Sequence, residues 1–173
     1  MKYIYALIIL AAMIFISACS ENSTNITAEK VTVDQLATIP GYTWFNHEID
    51  KYEPLPSVIQ EIKETYNPSL HKFVVFMKPS CSCPGKHLQS PGFMKVLQES
   101  DIDLNLVEFF TMSNLTNNHP YSEMIILKEL PTIIVLKATE PVYSVSDTLN
   151  SVNSPNSTPN LTIENALLNA LRK

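Results

Sequence analysis

Apolar residues along the chain fall into short continuous runs separated by helical stripes. Phe73-Val74-Val75-Phe76-Met77 is an unbroken run of β-branched and aromatic residues, the pattern of a strand buried on both faces. Leu104 to Met112 predicts a second such strand, and Ile133 to Leu136 a third that opens on Leu130-Pro131-Thr132. Val142 to Val145 predicts a fourth, paired with the third as a hairpin across Ala138 to Pro141. Between the runs the spacing turns helical. Ser57 is placed to cap a helix through Tyr66, with Val58, Ile59, Ile62 and Tyr66 inward, and Asn67-Pro68 ends it. His87 to Glu99 predicts a second helix with a kink at Pro91-Gly92, and Pro120 to Lys128 a third after an Asn-rich loop. Ile163, Leu167 and Leu171 give the last helix its apolar stripe. Val31 to Tyr52, with Gly41 and the aromatic cluster Tyr42, Trp44 and Phe45, reads as a short strand or a flap over the core. Asp147 to Asn160, rich in Ser and Asn, reads as a surface loop. Strands alternating with helices predict an α/β sheet with helices on both faces.

The amino terminus has a different pattern. Lys2 is followed by an apolar stretch from Tyr3 to Ile16, then Ser17, Ala18 and Cys19, and polar Ser20, Glu21 and Asn22 come next. The stretch is shorter than the about 20 apolar residues that span a bilayer, so it reads as a signal peptide over residues 1–18. Ile16-Ser17-Ala18-Cys19 resembles the bacterial lipobox. That resemblance implies cleavage before Cys19, diacylation of its sulfur and a lipid anchor facing away from the cytoplasm. Ser20 after that cysteine is similar to the outer-membrane sorting preference of Gram-negative lipoproteins. Residues 19–30, polar and without apolar periodicity, read as a flexible tether, residues 31–54 as an amino-terminal extension, and residues 55–173 as the folded domain.

Composition narrows the partners. The chain has 173 residues, and its 12 Lys+Arg against 17 Asp+Glu give a net charge of −5 with no basic run, which argues against nucleic acid as a partner. Three cysteines are too few for a disulfide scaffold, and two of them, Cys81 and Cys83, stand two apart directly after the first buried strand. A cysteine at a helix amino terminus is acidified by the helix dipole and unpaired backbone N–H groups, and Lys78, Lys86 and His87 add positive charge nearby. Closing a bond between residues two apart requires a turn, and a strained disulfide is the more easily reduced. So small a loop adds little as a staple, because the chain-entropy gain grows with loop length.

The element order, with cysteines after the first buried strand and a proline opening the third, resembles the thioredoxin fold over roughly Leu55 to Lys173. The stretches that carry the likeness are Phe73 to Cys81 and Glu129-Leu130-Pro131-Thr132-Ile133-Ile134-Val135-Leu136. The resemblance implies a central mixed sheet of four to five strands flanked by helices, with Pro131 as a cis-proline beside the cysteines that shapes a substrate groove. It also implies thiol–disulfide exchange with protein thiols or disulfides, without a cofactor. Cys81 is then the attacking or attacked sulfur and Cys83 resolves the mixed disulfide. Three positions depart from the family pattern. Cys81-Ser82-Cys83 replaces C-x-x-C, Ser80 replaces the usual aromatic, and Val75 occupies the place of the buried acid. Pro91 matches the family's helix proline if two residues are inserted or if Cys83 is the nucleophile.

Two other readings use the same residues. Cys81, Cys83 and His87 form C-x-C-x3-H, soft ligands suited to Cu(I) or Zn, with Met77 and Met94 as thioether neighbours. The third reading is a binding module without chemistry. His47, His71 and His119 are isolated in sequence and read as solvent-facing.

Overall fold

The computed structural model describes residues 27–79, 86–153 and 160–173. Cys19, Cys81, Cys83 and the segment read as a signal peptide lie outside the described residues. Five strands form one mixed sheet: β1 (Glu29–Val31), β2 (His71–Met77), β3 (Val107–Thr111), β4 (Thr132–Lys137) and β5 (Glu140–Ser144), in the order β1-β3-β2-β4-β5. β2 is central, parallel to β3 with Val75 beside Phe109 and antiparallel to β4 with Val75 beside Ile133. β1 runs antiparallel to β3, and β5 antiparallel to β4. A five-stranded mixed sheet with helices packed on it is the α/β class expected from the sequence, compatible with a thioredoxin-like arrangement.

The pleat divides the sheet residues between two cores, because successive side chains point to opposite faces. Phe73, Val75, Met77, Phe109, Ile133 and Val135 join the larger core, to which every helix contributes: α1 (Val33–Leu36), α2 (Phe45–Lys51), α3 (Pro56–Thr65), α4 (Gln89–Glu99), α5 (Val145–Val152) and α6 (Ile163–Leu171). Val74, Phe76, Phe110, Ile134 and Leu136 form the smaller core, covered by Ala28, Met112, Ile125 and Leu127. Among the described residues the helices pack on the larger core's face, where the sequence led to helices on both. The segment 120–128, expected to be a helix, makes a single turn that closes with Ile125 N–H on the Tyr121 carbonyl at 2.8 Å. It then alternates: Ile125 and Leu127 face the sheet while Ile126 between them is 87% exposed. An extended strap buries that pattern, and a helix would not.

Other boundaries shift for local reasons. α3 starts on Pro56, with Leu55 at its N-cap and no side-chain cap, so Pro56 and not Ser57 sets the start. Pro91 is the third residue of α4, in the first turn, where its missing N–H has no intrahelical partner to lose and no kink is required. Gly92 is needed for close approach, since a Cβ there would stand 2.5 Å from Ile163 Cδ1 and 3.2 Å from the Tyr52 ring. The expected loop from Asp147 is helical through Val152, because Ser144 Oγ caps the Asp147 N–H at 3.1 Å and Val145 and Leu149 are buried one turn apart. Residues 27–30, read as tether, are already structured: Thr27 bridges Asn118, Ala28 N–H donates to Asn118 O at 2.8 Å, and Glu29 and Lys30 pair with β3. Within 31–54, Leu36, Tyr42, Phe45 and Ile49 are buried in the main core.

Two histidines read as solvent-facing are buried: His71 is 4% exposed and His119 7%, while His47 is exposed. His71 Nδ1 accepts the Asn67 N–H at 3.1 Å, which requires the unprotonated ring nitrogen. Burial, and then the charge of Lys137, lower the His71 pKa below its ordinary value, and burial alone lowers that of His119. Both rings are therefore neutral in the folded chain at pH values where the unfolded chain has begun to protonate them. The unfolded state then binds more protons, so stability rises with pH in this window. Chemical denaturation is expected to show a midpoint that falls as the pH drops from 7 to 5, starting near the ordinary histidine value of about 6.5. A midpoint that is flat over that range, or rises on acidification, would contradict the burial of these rings. Glu108 titrates in a lower window. Burial would raise its pKa, but hydrogen bonds from Lys30 and Tyr121 outweigh that and hold it below the ordinary carboxylate value.

Candidate functional site

The carboxyl end of β2 is where the chain leaves the sheet toward the cysteines. Phe76 lies opposite Thr132 in the β2–β4 register, so one step further sets Met77 across from Pro131. Lys78 and Pro79 follow Met77, and proline, with no N–H to donate, does not prolong a ladder. The next described residues, Lys86–Leu88, form one 3-10 turn that leads into α4. Both C-x-C cysteines fall in the sequence between these two ends. The helix α4 begins at Gln89 with Leu88 as its N-cap, two residues later than the His87 start expected from the sequence.

Met77, Lys78, His87, Ser90, Pro131 and Trp44 line one narrow cleft at this end of the sheet. The Leu130–Pro131 peptide is cis, as the resemblance implied for this position. Trp44 reaches the cleft from the segment before α2. Gly41 adopts φ 95°, a left-handed conformation that glycine enters without a Cβ penalty, and the turn it makes lets the Trp44 indole N–H donate to the Gly41 carbonyl at 2.7 Å. The indole then meets the His87 ring edge-on, with centroids 5.3 Å apart and planes at 84°. The Ser90 hydroxyl is buried in the wall with no hydrogen-bond partner among the described residues. Val75, in the place the family gives to a buried acid, is fully buried in the apolar core.

Around Pro131 a polar frame joins three elements. The Glu129 carboxylate pairs with Lys86 and accepts the Asn150 side-chain N–H, while Asn150 Oδ1 accepts from Gln89 Nε2 at 2.9 Å. The Thr132 hydroxyl donates to the Glu129 carbonyl at 2.5 Å, across Leu130 and Pro131. Lys128 Nζ pairs with Asp147 at 3.1 Å, and Ile133 N–H donates to Ser146 Oγ at 3.1 Å, so α5 braces the loop on both sides of the proline. Lys86, expected as a source of positive charge for the thiols, is thus already paired.

Of the residues singled out in the sequence, the structure brings Pro131, His87 and Met77 together at one cleft. Met94 is fully buried in the main core. Cys81 and Cys83 lie outside the described residues, and among those described no group of three or more His, Cys, Asp or Glu is placed to hold a metal ion. No helix among them is long and apolar enough to cross a membrane. Glu129, Asn150 and Gln89 were missed in the sequence because their partners are 21 to 61 residues apart and one of them sits in a segment read as loop. Compared with protein-family models, curated proteins and solved structures, the chain matches none.

Proposed function

We propose that the chain is an extracytoplasmic lipoprotein, anchored through Cys19, whose thioredoxin-like domain carries out thiol–disulfide exchange through Cys81 and Cys83. The observation that supports the exchange most is the shared cleft: the strand that leads to the cysteines, the helical segment that follows them and Pro131 meet there. The lipobox-like Ile16-Ser17-Ala18-Cys19 supports the anchor, with an outer-membrane address if the cell is Gram-negative.

The chemistry balances in two displacements. The Cys81 thiolate attacks one sulfur of a substrate disulfide, forming a mixed disulfide and releasing the other substrate sulfur as a thiolate. The Cys83 thiolate then attacks the Cys81 sulfur, closing the Cys81–Cys83 bond and expelling the second substrate thiolate. The substrate gains two electrons and takes up two protons, and the dithiol is oxidised. In the reverse direction the Cys81–Cys83 disulfide oxidises a substrate dithiol. Pro131 shapes the groove in which the substrate strand lies.

The deciding measurement is the reduction potential of the full chain carrying Cys19→Ser, which leaves Cys81 and Cys83 as its thiols, equilibrated in glutathione buffers after metal removal. A two-electron transition near or above about −200 mV is expected, the range of oxidants and isomerases. A pair that forms no disulfide at any poise would sink exchange. His87 lines the same cleft, which keeps soft-metal binding as the second reading. Under it the same protein would bind Cu(I) or Zn stoichiometrically, protect both thiols and lose the metal on His87→Ala.

A further inference from the structure

We propose that Glu129 is a positioning residue that holds the Pro131 loop in register with the segment returning from the cysteines, and thereby sets affinity for the polypeptide substrate. The proposal deepens the exchange reading and rests on it. Each Glu129 carboxylate oxygen serves a different element: Oε2 meets Lys86 at the start of the returning segment, and Oε1 meets Asn150 on α5. Asn150 is oriented in turn by Gln89, three residues beyond Lys86, so the polar circuit begins and ends on the same segment. At the other end of Glu129, its carbonyl is held by the Thr132 hydroxyl at 2.5 Å, so its backbone and the Leu130–Pro131 unit move together. A shift of Lys86 or Gln89 is therefore transmitted to Pro131 through one side chain.

Electrostatics alone would make Glu129 minor. The Lys86 side chain is 43% exposed, and ion pairs at such sites add little stability. That weakness separates positioning from folding, because removing the carboxylate leaves the apolar core intact. Its loss changes the spacing between two walls of the cleft, which acts on substrate binding.

The test compares wild type, Glu129→Ala and Glu129→Gln in the full chain with Cys19→Ser, using a self-quenched peptide disulfide as substrate, excess reduced glutathione to return the Cys81–Cys83 disulfide to the dithiol after each turnover, and amide hydrogen exchange as a second readout. Glu129→Ala is expected to raise KM by about five- to tenfold with kcat within about twofold, the signature of lost uniform binding. The alkylation rate of the reduced cysteines by iodoacetamide stays within about twofold, since the thiols are not its target. Amides of residues 86–90 and of Glu129, Leu130, Thr132 and Ile133 are expected to exchange faster together, by about fivefold or more, as a local opening does. Glu129→Gln, which still accepts from Asn150, returns KM to within about threefold of wild type. An unchanged KM and unchanged amide exchange in Glu129→Ala would overturn the proposal. So would a fall of kcat and alkylation rate at constant KM, which would place the effect of Glu129 on the thiols themselves. A wild type that turns over no disulfide overturns the exchange reading and the substrate-affinity part with it, while amide exchange still decides whether Glu129 holds the two segments together.

Discussion

Cys81→Ser is expected to abolish disulfide exchange, lowering the rate by at least about 1,000-fold, or about 4 kcal/mol of activation free energy. The nucleophile in exchange is a thiolate, and a serine hydroxyl neither ionises near neutral pH nor forms a mixed disulfide. Cys83→Ser acts differently: the first displacement still occurs and the second cannot, so a covalent adduct with the substrate accumulates and is visible as an intact-mass increase. The two variants therefore assign the roles. A trap in Cys81→Ser, with inactivity in Cys83→Ser, would make Cys83 the nucleophile. If neither variant loses rate, exchange at this pair is excluded.

Glu164→Ala is expected to destabilise the fold by roughly 2–4 kcal/mol, the largest stability change among polar substitutions here. Glu164 is 1% exposed, yet both carboxylate oxygens have partners: the Tyr52 hydroxyl at 2.7 Å and the Leu55 N–H at 3.1 Å. It thus ties α6 to the segment that joins α2 to α3, more than 100 residues earlier in the chain. Burial, reinforced by the Glu164 carboxylate, pushes the Tyr52 hydroxyl well above the ordinary tyrosine pKa, so it remains a donor at any physiological pH. Removing the acceptor leaves two part-buried donors, the Tyr52 hydroxyl and the Leu55 N–H, without their partner, each costing up to about 1–3 kcal/mol, beside the place where Gly92 lets Tyr52 and Ile163 approach. Tyr52→Phe removes one donor and is expected to cost about 1 kcal/mol. In the double variant the two losses are expected to be less than additive, because they share a hydrogen bond. Denaturant titration of the four proteins checks this, and strict additivity would show that the contact carries no coupling.

The sheet was legible in the sequence where local pattern and burial agree. Phe73 to Met77 is apolar without interruption because β2 is central and covered on both faces, a condition that leaves no position for a polar residue. Ile163, Leu167 and Leu171 were readable for the corresponding helical reason, since one stripe of α6 meets the core. Proline before the third run marked the start of β4, where a residue without an N–H is tolerated. The candidate site was half legible. Cys81, Cys83 and Pro131 stand out by type and order, but the residues that frame the cleft do not.

Where local signals competed, tertiary contacts decided. Ile125-Ile126-Leu127 fits a turn of helix or a strap equally well in so short a window, and the apolar face of β2, β3 and β4 that carries the smaller core selects the strap by burying alternate residues. Ser and Asn in α5 suggest a loop by composition, but Val145 and Leu149 bury one face and the Ser144 cap completes the first turn. His71 and His119 carry no spacing that predicts burial, and nothing in the local pattern singles out Glu164, yet all three are buried. Their environments are made by segments distant in sequence. The sequence by itself determined the four apolar runs that become β2 to β5, the helices α3, α4 and α6, and the chemically distinctive residues, because apolar periodicity and side-chain chemistry are local properties. Only the tertiary structure decided which face each helix covers, which polar groups are buried and which side chains frame Pro131, because hydrogen bonds and burial there depend on contacts between elements that no local window contains.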